Sequence, residues 1–330
     1  MNKSLKIISA AFLVALVACA LASCVSPPTS HTFSFALIGD QQYNAAEEAL
    51  FPDLLDTISS DKLAFVVHLG DFKAGSNSPC TDALFAQRRD EFNRSKHPFI
   101  LLTGDNDWVD CRRPSNGKYE PLERLNTLRE VFYATPETLG KNKLSLMRQS
   151  DIFAADPILS RYAENALWVH GGVVYVTLNI QGSNDNRGFD EANDREQLER
   201  TDANIAWLKH AMITARSDEI AGLAIFMQAN PGFEETAAHV QKSGFKKFLT
   251  AFDTAAEAFG KPILFAHGDS HQFRVEPYVS PVDKRPILNV TRVEGYGSPF
   301  VNWIKITVDA NNRVTPFVIK SGGFVPTVAK

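Results

Sequence analysis

Three apolar runs in the first third of this 330-residue chain stop at the same dipeptide: Gly39-Asp40, Gly70-Asp71 and Gly104-Asp105. A fourth copy, Gly268-Asp269, is followed by His271. Glycine permits a tight turn directly after a strand, so each carboxylate is presented at a rim and not inside a sheet. One Gly-Asp is ordinary turn chemistry, and a set of solvated loop acids is the plain alternative. Several at equivalent positions bring like charges together, at a Coulombic cost that bound cations would remove. Oxygen donors of this kind suit hard divalent ions such as Mg²⁺, Mn²⁺ or Ca²⁺.

The elements that must position these acids alternate between strand and helix. "FSFALIGD" from Phe33, "LAFVVHLGD" from Leu63 and "PFILLTGD" from Pro98 are buried strands. Helices between them are expected over Ala45 to Ile58, with Leu50, Leu54, Leu55 and Ile58 at helical spacing, and over Thr81 to Arg94, capped by Thr81. In a parallel α/β sheet the carboxyl ends of the strands are where ligands bind, so the acids should converge. Further helices are expected over Pro121 to Tyr133, Glu196 to Ala215 and Glu234 to Phe259. Two strands flank Gly171-Gly172, one ends near Gln228, and the C-terminal part is rich in strands, with "ANNR" (Ala310 to Arg313) as a hairpin turn. No internal repeat is evident. One domain over 33–330 containing two sheets is the simplest organisation.

Composition narrows the class. The chain is 44% hydrophobic and 22% charged, with net charge −4 and thus no basic excess to neutralise a nucleic-acid backbone. At the N-terminus, Lys3 and Lys6 precede the apolar run Ile7 to Ala18, followed by small residues, Pro27 and Pro28. That is a secretory signal and not a spanning helix. "LASC" (Leu21 to Cys24) looks like a bacterial lipobox, with "LVAC" (Leu16 to Cys19) less well placed; a plain signal peptide with incidental cysteines is the alternative. The expected layout is 1–24 signal peptide with Cys24 lipidated, then a linker over 25–32. The product would be held on the periplasmic side of a bacterial cell envelope, as a monomer. Cys80 and Cys111 then remain, and in an oxidising compartment this pair points to a disulfide.

The motif order "GDQQ" (Gly39 to Gln42), "GDFK" (Gly70 to Lys73), "GDND" (Gly104 to Asp107), "MQANP" (Met227 to Pro231) and "GDSH" (Gly268 to His271) resembles the calcineurin-like metallophosphoesterase superfamily over nearly the whole mature chain. The resemblance implies a four-layer αββα sandwich, two mixed sheets flanked by helices, with two divalent cations at the strand ends. Carried over residue by residue, one metal takes Asp40, Gln42, Asp71 and His271. The second shares Asp71 and adds Asp105, Gln228 and Asp269, with Asn230 the alternative to Gln228. Gln replaces His at 42 and 228, Asp replaces Asn at 105, and Asp replaces His at 269. These changes harden the site, favouring Mn²⁺ or Mg²⁺ while leaving Ca²⁺, iron or Zn²⁺ open.

By the same resemblance the two metals clamp a phosphate and activate a hydroxide for in-line attack. The expected proton donor is replaced by Asn106, an amide that cannot act as a general acid, and Asp107 would have oriented it. That loss removes a factor of roughly 10²–10⁴, tolerable for an acidic leaving group. Arg112 and Trp108 are candidate substrate contacts, with a solvated face and a buried plug as their plainer readings; Arg113 and Lys73 stand in similar places. His68 reads as a core histidine, and His267 as a candidate for the missing imidazole. The amide-rich "NIQGSNDNRG" (Asn179 to Gly188) is a candidate pocket wall. No Gly-x-Ser-x-Gly elbow or phosphate-cradling glycine loop is present. The implied activity is hydrolysis of a small phosphoester or phosphoanhydride, and the rival is a catalytically impaired metal-binding or ligand-binding protein of the envelope.

Overall fold

The computed structural model describes residues 32–324. The proposed signal segment, with Cys19 and Cys24, and all but Thr32 of the proposed linker lie outside the described residues. Among the described residues, twelve strands form two sheets. The first is five-stranded, in the order β12 (Phe317–Ser321), β11 (Ile304–Asp309), β1 (Thr32–Ile38), β2 (Val66–His68), β3 (Phe99–Leu101). The second is seven-stranded: β4 (Met147–Arg148), β5 (Ala166–His170), β6 (Val173–Thr177), β7 (Gly222–Phe226), β8 (Ile263–His267), β10 (Pro286–Glu294), β9 (Arg274–Val279).

Both sheets are mixed. Strands β1, β2 and β3 run parallel, with Ile38 beside His68 and His68 beside Leu101, so the three Gly-Asp turns leave one edge. In the other sheet β6, β7, β8 and β10 are parallel neighbours, and the segments carrying Gln228 and Asp269 leave their carboxyl ends. Alternation along β1 explains the layering. Phe35 and Leu37 enter the core between the sheets with Phe65, Trp168, Tyr175 and Phe226, whereas Ala36 and Ile38 face the helices Ala45–Ser60, Asp82–Phe92 and Pro121–Phe132. Helices Glu191–Thr214 and Lys246–Phe259 cover the outer face of the second sheet. The result is the αββα order, fixed by aromatic packing such as Phe35 on Tyr175 at 5.7 Å and Phe65 on Trp168 at 5.4 Å between centroids.

Some expected boundaries move. Thr81 caps the helix Asp82–Phe92 by accepting the Leu84 N–H. The long helix starts at Glu191, five residues before the expected Glu196, because Asp190 caps it through the Asn193 N–H. The span 234–259 is not one helix: it contains a turn of helix at Ala237–Val240 and then Lys246–Phe259. Strands β2 and β3 are only three residues each, short inner strands inside longer apolar runs.

Candidate metal centre

Four carboxylates from the two sheets share one pocket, three of them buried and Asp269 half-buried. Asp40, Asp71 and Asp105 follow β1, β2 and β3, and Asp269 follows β8. Asp40 accepts the Asp269 N–H with both oxygens, at 3.2 and 3.1 Å, which ties the two sheets' loops together. Asp71 Oδ1 accepts the Asn106 N–H at 3.0 Å, linking the second and third Gly-Asp turns. Gly182 fits against both Asp105 and Asp269: a Cβ there would lie 2.5 Å from one Oδ1 and 2.8 Å from the other. Gly268 packs as closely on Asp40, where a Cβ would sit 2.1 Å from Oδ2.

The backbone is distorted where the donors are. Asp40, Gln42, Asp71, Asp269 and His271 all lie in the left-handed region, with φ of 52°, 66°, 56°, 78° and 65°. Such conformations are rare for residues with a side chain and persist only where surrounding structure enforces them, which is often at functional sites.

The electrostatics point the same way. Burial pushes the Asp40, Asp71, Asp105 and Asp269 carboxyls up. The charge of Asp269 adds to the effect on Asp40, and that of Asp105 adds to the effects on Asp71 and Asp269, whose carboxyl is pushed up to about 8. Without a counter-charge these acids resist ionising together. Two donors have the form a cation needs. Asp105 Oδ1 is buried with no hydrogen-bond partner. His271 Nδ1 lies 2.8 Å from the Ser298 carbonyl, which can only accept, so Nδ1 carries the proton and Nε2 is bare. That nitrogen lies 3.7 Å from Asp40 Oδ1. Among the described residues, no three His, Cys, Asp or Glu side chains close round one point as a finished cage. The donors are gathered and chemically suited to hard divalent ions, which fit this pocket by donor type.

The two glutamines engage their amides differently. Gln42 donates from Nε2 to Glu91 at 2.9 Å, which leaves its buried Oε1, the atom a cation would use, without a hydrogen-bond partner. Gln228 accepts the Gly182 N–H on Oε1 at 2.7 Å, and its buried Nε2 has no hydrogen-bond partner. An amide group in that orientation offers hydrogens, not lone pairs, to the pocket. The alternative, Asn230, donates its backbone N–H to Asp269 Oδ2 at 2.9 Å and spends its side chain on Glu234 and Ser270.

Asp107 also has another job than the expected one. Its Oδ2 accepts from Gly104 N at 2.8 Å and Asp71 N at 3.0 Å, and its Oδ1 from Phe72 N at 3.0 Å. It is fully buried and shapes the turns that carry Asp71 and Asp105. Trp108 is fully buried within the core beneath the first sheet, so it plugs the loop and offers no stacking face. Lys73 is buried too, donating to the Ala74 and Asn106 carbonyls at 2.8 Å each. Arg113 pairs with Asp110 at 2.8 Å, while Arg112 stays partly exposed over the Phe189 ring. His68 accepts the Gly70 N–H on Nδ1, as a core histidine. His267 takes Arg292 Nε on Nε2 at 2.9 Å, faces its own neighbour's carbonyl with Nδ1, and supplies no imidazole to the pocket. Cys80 and Cys111 are joined, with Cα atoms 5.7 Å apart.

Two residues at the pocket had no motif to announce them. Ser183 donates to Asp105 Oδ2 at 2.7 Å and approaches Asp110 Oδ1 at 3.0 Å, from a run of four left-handed residues, Ser183 to Asn186. It belongs to the amide-rich segment expected to form a pocket wall. Tyr43 places its hydroxyl 2.9 Å from Asp71 Oδ2, 2.9 Å from Asn106 Nδ2 and 3.4 Å from His271 Nε2. Its position directly after "GDQQ" was the available signal.

No curated protein matches the chain at a significant level. Among solved structures, the chain is similar to a dimetal phosphatase from Danio rerio, at 13% identity and a TM-score of 0.45, covering 83% of this chain and 92% of that one. It is also similar to a phosphatase from Mycoplasma pneumoniae, at 11% identity and a TM-score of 0.42, covering 88% and 94%. The model of the calcineurin-like phosphoesterase family matches residues 33–273, from the first strand to just past the His271 turn, and the chain belongs to that family of phosphoester hydrolases.

Proposed function

We propose that this chain is an exported, metal-dependent phosphoesterase that hydrolyses a small phosphoester or phosphoanhydride with two hard divalent cations, Mn²⁺ or Mg²⁺. The observation that carries the reading is the cluster of three buried carboxylates, Asp40, Asp71 and Asp105, with the half-buried Asp269, beside the bare Nε2 of His271. Asp40, Asp71 and His271 would hold one ion, and Asp71, Asp105 and Asp269 the other. Such ions supply charge neutralisation for the phosphate and lower the pKa of water. The chain's own residues do the rest. Asp107 sets the turns, Gln228 holds the Gly182 turn, Ser183 donates to Asp105, and Arg112, which stays partly exposed, would meet a phosphate oxygen.

The test is direct. Adding Mn²⁺ to stripped protein should raise its melting temperature and produce hydrolysis of an activated aryl phosphodiester, and Asp71→Asn should abolish both. Asn106, standing where the family's imidazole is expected, favours one second reading, a binding protein that keeps the cations without turnover. Stabilisation by Mn²⁺ with no hydrolysis across a phosphoester panel would select it.

Export rests on the leader sequence and on the Cys80–Cys111 bridge, which suits an oxidising compartment. Attachment through lipidated Cys24 would place the enzyme on the periplasmic side of the envelope, acting as a monomer. A Cys24→Ser protein that stayed in the membrane fraction would count against the anchor.

A further inference from the structure

Resting on the phosphoesterase reading, we infer that Tyr43 is a catalytic residue whose hydroxyl hydrogen-bonds the leaving-group oxygen, in the place left empty by the missing imidazole, with Asn106 as its positioning residue.

The geometry is directional. Asn106 Nδ2 has only hydrogens to give, so at 2.9 Å it must donate to the Tyr43 oxygen. His271 Nε2 is bare because Nδ1 carries the proton that meets the Ser298 carbonyl, so it donates nothing to the tyrosine. One lone pair of the Tyr43 oxygen is thus occupied and its proton is turned outward. That proton now rests on Asp71 Oδ2 at 2.9 Å. Asp71 is the acid shared by both proposed ions, and its Oδ1 already takes the Asn106 N–H. Were Asp71 to hold a cation, its Oδ2 would be less available to Tyr43, whose hydroxyl would then be an oriented donor facing the pocket. Asn106, useless as an acid by itself, thereby acts through the hydroxyl beside it.

The chemistry balances without ionising the tyrosine. Water oxygen bonds to phosphorus, the ester P–O bond breaks, and its electron pair departs on the leaving oxygen. Tyr43 hydrogen-bonds that oxygen as charge builds on it. The proton finally kept by the leaving group comes from solvent, which also receives the one released by the attacking water.

The experiment compares wild type with Tyr43→Phe, both loaded with Mn²⁺, on aryl phosphoesters whose phenols range from dinitrophenol to phenol. Phe keeps the ring that packs edge-on to His271 at 5.3 Å. Expected is a kcat loss of roughly 10²-fold on the phenyl ester, the scale of losing one hydrogen-bond donor to a developing oxyanion, and almost none on the dinitrophenyl ester. The Mn²⁺-induced rise in melting temperature should be unchanged. Asn106→Ala should show a weaker version of the same pattern, and Tyr43→Phe/Asn106→His should regain activity on the phenyl ester. Inorganic phosphate, titrated into the Mn²⁺ protein, should bind about tenfold more weakly to Tyr43→Phe, the cost of one hydrogen bond to a charged group. Equal losses along the series, or a lost Mn²⁺ response, would overturn the inference by making Tyr43 a support for Asp71. A wild type that binds Mn²⁺ but cleaves nothing would sink the phosphoesterase reading instead, and the phosphate titration then decides on Tyr43: an unchanged affinity in Tyr43→Phe overturns the inference.

Discussion

The Asp107 carboxylate accepts the Asp71 N–H at 3.0 Å, so the turn after the third strand dictates the backbone of the turn after the second. Its two oxygens satisfy three buried amides in all. Asp107→Asn keeps the shape but sets an NH₂ against at least one of those N–H groups. An unsatisfied buried donor costs about 1–3 kcal/mol. Urea unfolding should show a loss of that order, and Mn²⁺ affinity should fall by roughly 10–100-fold, as when partners that orient metal ligands are removed. A variant of unchanged Mn²⁺ affinity would refute the positioning role.

Gly182 tests how tightly the pocket is drawn. Gly182→Ala puts a methyl 2.5 Å from Asp105 Oδ1, and one of the two must move. The expected result is an intact fold by circular dichroism with Mn²⁺ binding weakened by at least about tenfold, read by isothermal titration. Gly260→Ala is the control for strain without contact: a Cβ there meets nothing within 4 Å but sits at a left-handed φ of 70°, so it should lower stability and leave Mn²⁺ affinity unchanged.

Acid sensitivity should come partly from Glu234. Burial would raise its carboxyl, but hydrogen bonds from Asn230 and Arg292, with the charges of Arg292 and Arg274, hold it down at about 2. An unfolded glutamate titrates near 4.3. A depressed native value contributes stability above about pH 4.3, and that contribution is lost as pH falls from there towards 2. Glu234→Gln should therefore melt below wild type at pH 7, with the gap narrowing below about pH 4.3 and closing only near pH 2. Half exposure of the side chain keeps the effect modest.

The bridge between Cys80 and Cys111 spans 31 residues. Loop-closure entropy then assigns it about 3–4 kcal/mol. Cys80→Ser/Cys111→Ser should lower the urea midpoint accordingly, and dithiothreitol should destabilise wild type but leave the double variant unmoved. Both cysteines are fully buried in the core that also holds Trp108 and Phe85.

Much of this architecture was legible because repeated local signals agreed. Each Gly-Asp closed an apolar run, and the parallel pairing of β1, β2 and β3 forces those ends to one edge. Side-chain direction was not legible. The family resemblance marks Gln42 and Gln228 as ligand positions, yet which way each amide turns is set by Glu91 for one and the Gly182 N–H for the other, both from distant chain. Trp108 looked equally able to stack or to plug, and only tertiary burial decides. Tyr43 and Ser183 carried no motif, because their roles arise from neighbours 28 and 78 residues away.

The donors come from both halves of the sandwich: Asp40, Asp71 and Asp105 hang from the five-stranded sheet, Asp269 and His271 from the seven-stranded one. A cation held between them works as a rivet across the seam. By linkage, whatever loosens the seam must weaken the ion, and the ion must stiffen the seam. Trimming Phe35 or Tyr175, buried inside the sandwich and contacting no ligand, should therefore register as a fall in metal affinity. The metal centre becomes a gauge of how well two sheets fit together.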